Sequence, residues 1–585
     1  MKILQKTEGE IHRYYFGETE ISDGVFKSEY KTKKRIQLFK NRQYPKGKLD
    51  AQNKYKYWAD IITPRVNAEV KNLRLDTKNF LFFSESPSKD SVLIQIANLR
   101  IKEYMRDSNR AEELNENVET FTGDGNVLFK KTKEGYTTLD PLNTIITNEC
   151  AKTVDETDII ERYEMTQSEL RAKEGVWNNI DDVINGCKGR SFKRTTRSTP
   201  KDLDKSFYEI FERNGEVTEQ ELFEAQGKDG GDDRKYVKAR IVMAGLSTGT
   251  KKNKHILFAE SLGNKNLSDI YISAHRGPYK GAFWREGLYE LLFDLQVRAN
   301  EISNQLSRGL EWASKVIFKY SDNTLVQNIL TDLQNGDAIK STDLSQIDVR
   351  LRNLDQLIAD WNRINEQADK IANSFEVVQG ESLPSGTPFR LGMLMDTNAN
   401  KLFVFLRQKL DIAYSKIYDQ WLKKELFKAL TSKDIIRLTG DNDMLTAFKE
   451  RLVENWYIQN LINIGPHTPE IAQMLKETKL QEIEEKDIMI KNESKEVWAE
   501  AMPRIHIVIT GENTDIGEKM ETLANLLQFE TDPSRRAYLL DQIYSIKGIK
   551  APPAQPQPQQ QEQQRQTSPR PESDLAQMER QAQGI

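Results

Sequence analysis

The sequence predicts a mostly helical α+β fold. The second half of the chain carries three long stripes of apolar residues at helical spacing, and the first half carries short runs with the two-residue alternation of strands. The chain has 585 residues, more than one hydrophobic core usually holds, so several domain-sized units are expected. With 37% hydrophobic and 30% charged residues, the composition suits an extended or assembling protein better than one dense globule.

Charge and cysteine content exclude several classes of protein. Lys and Arg total 85 against 89 Asp and Glu, a net charge of −4. This balance argues against a tight nucleic-acid binder, although it suits a protein past which DNA slides without being held. No run of 18 apolar residues predicts a membrane span, and the first residues lack the apolar core of a secretory signal. The two cysteines, Cys150 and Cys187, are too few for a disulfide framework or a zinc ribbon.

The first half of the chain begins with a basic segment and continues with strand patterns. Aromatic residues interleave with lysines over 27–58, which predicts either a solvated arm or an electrostatic contact with DNA or an acidic partner. A helix is expected after Ala59. Residues 123–141 predict a β-hairpin, and a strand from Asp158 ends at the capping-box spacing of Thr166 and Glu169. Two further strands are expected within 235–261, after a basic connector at 186–204.

Three amphipathic helices dominate the second half. Steps of three and four residues define each apolar face. The first stripe predicts a helix of about 26 residues and comprises Leu288, Leu292, Leu295, Ala299, Ile302, Leu306, Leu310 and Ala313. The second comprises Leu354, Leu357, Trp361, Ile364, Ala368, Ile371 and Phe375. The third comprises Leu402, Leu406, Leu410, Ala413, Ile417 and Trp421. An ordinary helix-bundle core would explain the same stripes.

The segments between these helices are unusual. Residues 315–351 have strand-like pieces at both ends, VIFKY and IDVRL, and predict a small α/β insert at the tip of a helical hairpin. Between the second and third helices, residues 373–403 contain Gly380, Pro384, Gly386, Pro388 and Gly392. Loops longer than about 12–15 residues are uncommon in compact domains and usually have a function or are disordered.

No motif predicts enzymatic chemistry. The nearest approach to a phosphate-binding loop, GLSTGTKKN from Gly245, lacks the required spacing and the Ser or Thr after Lys. The five histidines are scattered without metal-ligand spacing, and no GxSxG nucleophile motif is present. We therefore expect a protein that is not an enzyme and that has no cofactor or metal site.

The order of these segments resembles the portal proteins of tailed bacteriophages. YKYWADIITPRVNAEVKNL, LDPLNTIIT and DIIERYEMTQSELRA resemble the family's wing, and HRGPYKGAFWREGLYELLFDLQVRANEISNQL resembles the start of its descending stem helix. GESLPSGTPFRLGML with FVFLRQKLDIAYSKI resembles the tunnel loop and the helix after it. RIHIVITGENTDIGEKMETLANLLQ resembles the strand that closes the wing and leads to the crown. Together these similarities cover most of residues 50–550.

The resemblance implies a portal-type fold and a ring of twelve subunits at one capsid vertex. The implied segments are a wing at 1–280 with the basic N-terminal arm, a descending stem helix at 281–314, a clip at 315–351, an ascending stem helix at 352–376, a tunnel loop at 377–398, the second part of the wing at 399–510, a helical crown at 511–550 and a disordered Pro/Gln-rich tail at 551–585. The implied function is a channel through which double-stranded DNA is packaged and ejected.

The resemblance also implies site residues and partners. The expected DNA-facing residues of the tunnel loop are Gln379, Gly380, Glu381, Ser382, Ser385 and Arg390. Gln379, Glu381, Ser382 and Ser385 suit sliding contact with phosphates, whereas Arg390 has pairing with an acidic stem residue as its alternative. The expected stem-packing residues are Leu288, Leu292, Leu295, Ile302, Leu306, Leu357, Trp361 and Ile364. Partners would be further copies of the chain, the terminase motor, a tail adaptor and the major capsid or scaffolding protein, with assembly in the host cytoplasm and a final location in the virion.

Two other classes stay open at this point. A structural or scaffold-type head protein would assemble through the same helices without a channel and would form rods or irregular oligomers. A packaging motor or nuclease would need a phosphate loop or a cluster of carboxylates around a metal, and the sequence contains neither motif.

Overall fold

The computed structural model divides the chain into two units, Met1–Gly511 and Glu512–Ile585. It describes residues 2–22, 24–45, 47–49, 53–77, 80–84, 87–107, 110–133, 135–186, 207–246, 254–313, 317–319, 345–347, 354–373, 389–427, 432–439, 442–464, 468–485, 487–509, 524–528, 536 and 540. In the second unit, residues 524–528, 536 and 540 are helical. The crown and tail predicted at 511–550 and 551–585 otherwise lie outside the described residues.

Helices form most of the described structure. In chain order they are α1 Lys2–Phe16, α2 Glu29–Lys40, α3 Ile62–Leu73, α4 Pro87–Asp107, α5 Arg110–Asp124, α6 Gln167–Arg171, α7 Ile180–Gly186, α8 Glu219–Ala225, α9 Leu288–Leu291, α10 Phe293–Ala313, α11 Leu354–Ala372, α12 Phe389–Lys416, α13 Lys423–Leu426, α14 Ser432–Thr439, α15 Asn442–Ile464, α16 Pro469–Glu485 and α17 Asp487–Ala501. A π-helical turn, Ile417–Leu422, joins α12 to α13.

Small antiparallel sheets complete the fold. The strands are β1 Thr19–Ser22, β2 Val25–Lys27, β3 Phe80–Ser84, β4 Asn126–Thr132, β5 Gly135–Leu139, β6 Thr144–Ile146, β7 Ile159–Thr166, β8 Phe207–Thr218, β9 Tyr236–Ala244, β10 His255–Ser261, β11 Tyr271–His275, β12 Ile317–Lys319, β13 Ser345–Ile347 and β14 Ile505–Ile509. Their orders are β10-β9-β8-β7-β6, β11-β4-β5, β1-β2, β12-β13 and β14-β3. The predicted mostly helical α+β class is confirmed.

A buried ionic network joins the five-stranded sheet to the three-stranded sheet. Lys130 on β4 lies 2.8 Å from Glu161 on β7 and 2.9 Å from Glu212 on β8. Arg240 on β9 pairs with Glu212 at 2.7 Å. Burial alone would raise the pKa of Glu212, but Lys130 and Arg240 together lower it to about 2. These mixed charges fix the relative position of the two sheets.

The largest hydrophobic core joins distant parts of the chain. It contains Phe80 and Phe82 of β3, Phe129 of β4, and Tyr414 and Trp498 from the last third of the sequence. β14 pairs with β3 in antiparallel register, with Ile507 opposite Phe82. The two segments predicted as parts of one wing therefore share a single core across more than 400 positions of sequence.

Local predictions in the first half are confirmed. β4 and β5 form the hairpin with Thr132 opposite Gly135, and β9 pairs with β10. The Thr166 side chain accepts from the Glu169 N–H, and the Glu169 carboxylate accepts from the Thr166 N–H, which completes the capping box before α6. Of the basic connector predicted at 186–204, Gly186 ends α7 and residues 187–204 lie outside the described residues.

The basic segment at 27–58 is not a detached arm. Glu29–Lys40 is helical, and Ile36 and Phe39 are buried in the same core as Leu288 and Leu292. The Phe39 ring meets the Trp58 ring edge-on, with centroids 5.4 Å apart. The interleaved aromatics therefore fold the segment onto the body of the protein. Most of its described lysines stay at least partly exposed, whereas Lys33 is buried.

The structure corrects the ends of the three long helices. The descending helix begins at Leu288 rather than 281 and is interrupted at Leu292, the ascending helix is Leu354–Ala372, and the third helix begins at Phe389. An added Cβ at Gly287 would lie 2.2 Å from the carbonyl oxygen of Gly123, so the chain passes this point in close backbone contact before helix formation starts. Residues 389–398 of the predicted tunnel loop are helical.

Candidate functional site

The hairpin of α10 and α11 is the candidate functional site. The chain leaves α10 into β12 and returns through β13 into α11, and β12 pairs antiparallel with β13. β13 lies at Ser345–Ile347, slightly before the strand piece predicted at IDVRL. The remainder of the predicted clip, residues 315–316, 320–344 and 348–351, lies outside the described residues.

All eight predicted stem-packing residues belong to one hydrophobic cluster with α2 and α3. The fully buried members are Leu288, Leu292, Ile302 and Ile364, and the partly buried ones are Leu295, Leu306, Leu357 and Trp361. Each of the two stripes also includes a residue that the structure leaves exposed: Leu310 on α10 is 56% exposed and Ile371 on α11 is 41% exposed. The exposure of Leu310 shows that the hydrophobic cluster ends before the last turn of α10.

Three amides on α10 hold an extended segment, residues 57–61, along the helix. Gln296, Asn300 and Asn304 are four residues apart and therefore lie on one face. Their side-chain oxygens accept hydrogen bonds from the N–H groups of Ile61 at 3.0 Å, Ala59 at 2.9 Å and Tyr57 at 2.8 Å. We call these three residues the amide ladder.

The amide ladder also satisfies carbonyl groups of the same segment. Gln296 Nε2 donates to Ala59 O at 2.5 Å, and Asn304 Nδ2 donates to Tyr57 O at 3.2 Å. Gln296 is fully buried and Asn300 nearly so, so their polar groups depend on these bonds. The ladder thus makes helix α10 serve as a hydrogen-bonding neighbour for a strand-like segment. The four-residue spacing was visible in the sequence, but its backbone partner was not.

Ion pairs attach α11 to the rest of the site. Arg65 on α3 pairs with Asp369 at 2.8 Å and donates to the Asn365 carbonyl at 3.1 Å, with its guanidinium almost completely buried. Arg298 on α10 reaches Asp360 on α11 at 3.1 Å on the exposed side. The Arg65 contact is therefore largely desolvated, whereas the Arg298 contact is exposed to water. We expect breaking the first to cost more folding stability than breaking the second.

Apolar side chains on the outside of the hairpin are only partly covered by the described residues around them. Leu310 on α10 and Ile358 on α11 are about half exposed, and Val297 on α10 is also exposed. On α12, Val404, Phe405 and Ile412 are exposed in the same way. Large apolar groups that form an exposed patch are typical of surfaces that bind another protein.

A groove of about 410 Å³ runs beside α10 and has a mixed aromatic and basic lining. Tyr44 and Trp58 contribute aromatic rings 5.2 Å apart, and Lys56 lies over the Tyr44 ring at 5.3 Å. Glu301 adds an acidic group to the lining. The lining mixes both signs of charge, as expected of a contact surface rather than of a phosphate site.

The predicted DNA-facing residues are mostly beyond what the structure describes. Gln379, Gly380, Glu381, Ser382 and Ser385 lie outside the described residues. Arg390 lies in the first turn of α12, a helix and not a loop, so the predicted loop ends at least ten residues earlier than expected. The part of the segment that precedes α12 is 374–388.

The described residues present no grouping for metal or nucleophilic chemistry. No three His, Cys, Asp or Glu side chains among them are placed to hold a metal ion. His275 is partly buried against Asn126, and desolvation, helped by Arg285 and Lys409, lowers its pKa to about 3, so its imidazole stays neutral. Cys150 is a free thiol, whereas Cys187 and His467 lie outside the described residues. None of the described helices combines the length and apolar composition needed to cross a bilayer.

Comparison with known proteins adds no family assignment. No protein-family model matches the chain, and no curated protein matches it.

Proposed function

We propose that this chain is the subunit of a ring-shaped channel of the portal type, through which double-stranded DNA is packaged into and ejected from a phage capsid. In this proposal α10 and α11 form the stem, β12 and β13 begin the clip, and the segment before α12 is the tunnel loop. The five-stranded sheet and the core shared by β3 and β14 form the wing.

The observation that carries the proposal is the construction of the α10–α11 hairpin. One face of the hairpin is fixed to the body by the amide ladder and by Arg65, while Leu310 and Ile358 stay uncovered. A hairpin that is held to its own chain on one face and exposes apolar side chains on another is suited to packing against further copies. Covering a half-exposed Leu or Ile contributes about 1 kcal/mol, so repeated contacts around a ring add substantially.

A closed ring is the arrangement that best uses such a surface. Each subunit would present one side of its hairpin to the next subunit, a heterologous contact that closes when the rotation allows it. The resemblance to portal proteins suggests twelve copies. Exposed apolar residues on α12, including Val404 and Phe405, would extend the same contact toward the wing.

The charge of the chain supports a channel that does not hold DNA. A net charge of −4 gives no general attraction for phosphates. We propose that Gln379, Gly380, Glu381, Ser382 and Ser385 face the DNA, and that Arg390 belongs to the first turn of the helix behind them. The proposed partners are the terminase motor, a tail adaptor and the major capsid or scaffolding protein, at the portal vertex of the virion.

Two assays on the purified full chain test the proposal. Native mass spectrometry should give one closed oligomer of about twelve copies, whereas a scaffold-type protein would give a ladder of sizes. A nucleotide-hydrolysis assay with magnesium should stay at the buffer background. A distribution of open oligomers, or robust magnesium-dependent turnover, would contradict the proposal.

A further inference from the structure

The outer edge of strand β14 borders a groove on the surface of the first unit. Among the described strands, β14 pairs with β3 alone, so its other edge has no strand beside it. The groove measures about 610 Å³ and is lined by Asp411, Ile412 and Ser415 of α12 and by Ile507 and Ile509 of β14. It therefore combines an open strand edge with an apolar floor and a helix wall.

Two side chains already use the first part of that edge. Asp419 accepts a hydrogen bond from the Ile507 N–H, and Lys423 donates to the Ile505 carbonyl oxygen. Asp411, Ser415, Asp419 and Lys423 are four residues apart and follow one face of the helix, through the π-helical turn. Side chains therefore take the place of a neighbouring strand next to Ile505 and Ile507, and the groove continues toward Ile509.

Asp411 and Asp419 each have a buried Oδ1 atom without a hydrogen-bond partner among the described residues. The Asp419 atom lies 3.8 Å from the Lys423 ammonium group. Burial raises the pKa of Asp411 to about 7, although Arg407, one turn earlier on the helix, acts against this rise. A cation placed in the groove would restore the ionised carboxylate, and a cation could be delivered by a bound chain.

We infer that this groove is a docking site for an extended peptide segment of another chain that carries a lysine or arginine. The segment would add its backbone to the free part of the β14 edge, as in strand addition. Its apolar side chains would cover Ile412, which is 58% exposed, and its cationic side chain would pair with Asp411. Charge favours a basic segment, because the groove lining contains two acidic residues, Asp411 and Asp419, and one basic residue, Lys416.

The inference goes beyond the channel proposal and does not depend on it. Nothing in it requires a ring, and a ring requires nothing of this groove. The two can therefore fail separately.

Fluorescence anisotropy with synthetic peptides tests the inference on the full chain. The probe is a labelled Lys-Val-Lys-Val-Lys peptide with blocked ends, compared with the same peptide N-methylated on alternate amides and with a Glu-for-Lys peptide. The protein variants are Asp411→Asn and, as a charge-matched control on exposed α11, Asp355→Asn. Circular dichroism and native mass of each variant accompany the titrations.

The unmodified basic peptide should bind, and Asp411→Asn should weaken binding about tenfold or more, while Asp355→Asn leaves it unchanged. N-methylation should abolish binding, because it removes the N–H groups that pair with β14. Equal binding by Asp411→Asn or by the N-methylated peptide would overturn the inference, as would no binding at about 1 mM peptide. Loss of the native oligomer in Asp411→Asn, without any peptide binding, would assign the groove to a contact between copies and also overturn it.

Discussion

The Asn300 side-chain oxygen accepts a hydrogen bond from the backbone N–H of Ala59 at 2.9 Å, across 241 positions of sequence. Gln296 donates to the same oxygen at 3.1 Å, so Asn300 is shared between the extended segment and the neighbouring rung of the ladder. This bond ties the first 60 residues to the α10–α11 hairpin. The N-terminal segment therefore helps to hold the hairpin against the rest of the chain.

Replacing Asn300 should weaken the attachment of residues 57–61 to α10 and lower the stability of the protein. Asn300→Ala leaves the buried Ala59 N–H without an acceptor, so we expect a loss of about 1–3 kcal/mol in the free energy of unfolding. Urea denaturation measures it. Gln305→Ala, at an exposed amide of the same helix, is the matched control and should change stability by less than about 0.5 kcal/mol. Equal losses of stability in the two variants would mean that the Asn300 hydrogen bond contributes no more than an exposed amide does.

The two arginine contacts of the hairpin should differ in energy. Arg65→Ala removes a buried guanidinium that pairs with Asp369 and donates to the Asn365 carbonyl, and we expect a loss of about 3 kcal/mol. Arg298→Ala removes a pair whose arginine is 47% exposed, so the expected loss is below about 1 kcal/mol. Thermal or urea unfolding of both variants gives the comparison. A larger loss for Arg298→Ala would contradict the burial of the Arg65 contact.

His275 should make the protein sensitive to acid. Its folded pKa of about 3 lies below the ordinary value of 6.5, so the unfolded chain binds the proton first as the pH falls. Stability should therefore be fully present above pH 6.5 and decrease by about 1.4 kcal/mol per unit as the pH falls toward 3. His275→Asn keeps a donor for Asn126 and removes this titration. Unfolding free energies at pH 7, 6 and 5 should then fall less steeply in the variant, and parallel slopes would refute the role of His275.

The exposed apolar residues of the hairpin should matter for assembly and little for folding. Leu310→Glu and Ile358→Glu place a charge on groups that are already about half exposed, so the isolated chain should keep its stability within about 0.5 kcal/mol. The fraction of assembled protein should drop sharply, because the charge would be buried between copies. Gln356→Glu on α11 is the matched control. Unchanged assembly of the two apolar-site variants would exclude this face from the contact.

The sequence was sufficient where structure is determined locally. The Thr166–Glu169 capping box and the β4–β5 hairpin involve residues close in sequence, so spacing and turn chemistry predicted them. Helical periodicity likewise identified the buried face of α10, because burial repeats with the turn of the helix.

Boundaries and long-range partners were not predictable in this way. The stripe of α10 continues unbroken through Leu292, where the structure has a break, because periodicity records the face of a residue and not its backbone angles. Pro388 was counted as a loop residue, yet it immediately precedes Phe389, where α12 begins, and proline is common at helix starts. The partner of Asn300 is backbone, which carries no signature in the sequence.

Negative-stain electron microscopy of the purified full chain tests the channel proposal most directly. The proposal predicts closed rings of about twelve copies with a central hole, and loss of these rings in Leu310→Glu but not in Gln356→Glu. Filaments, or compact dimers without a hole, would contradict it.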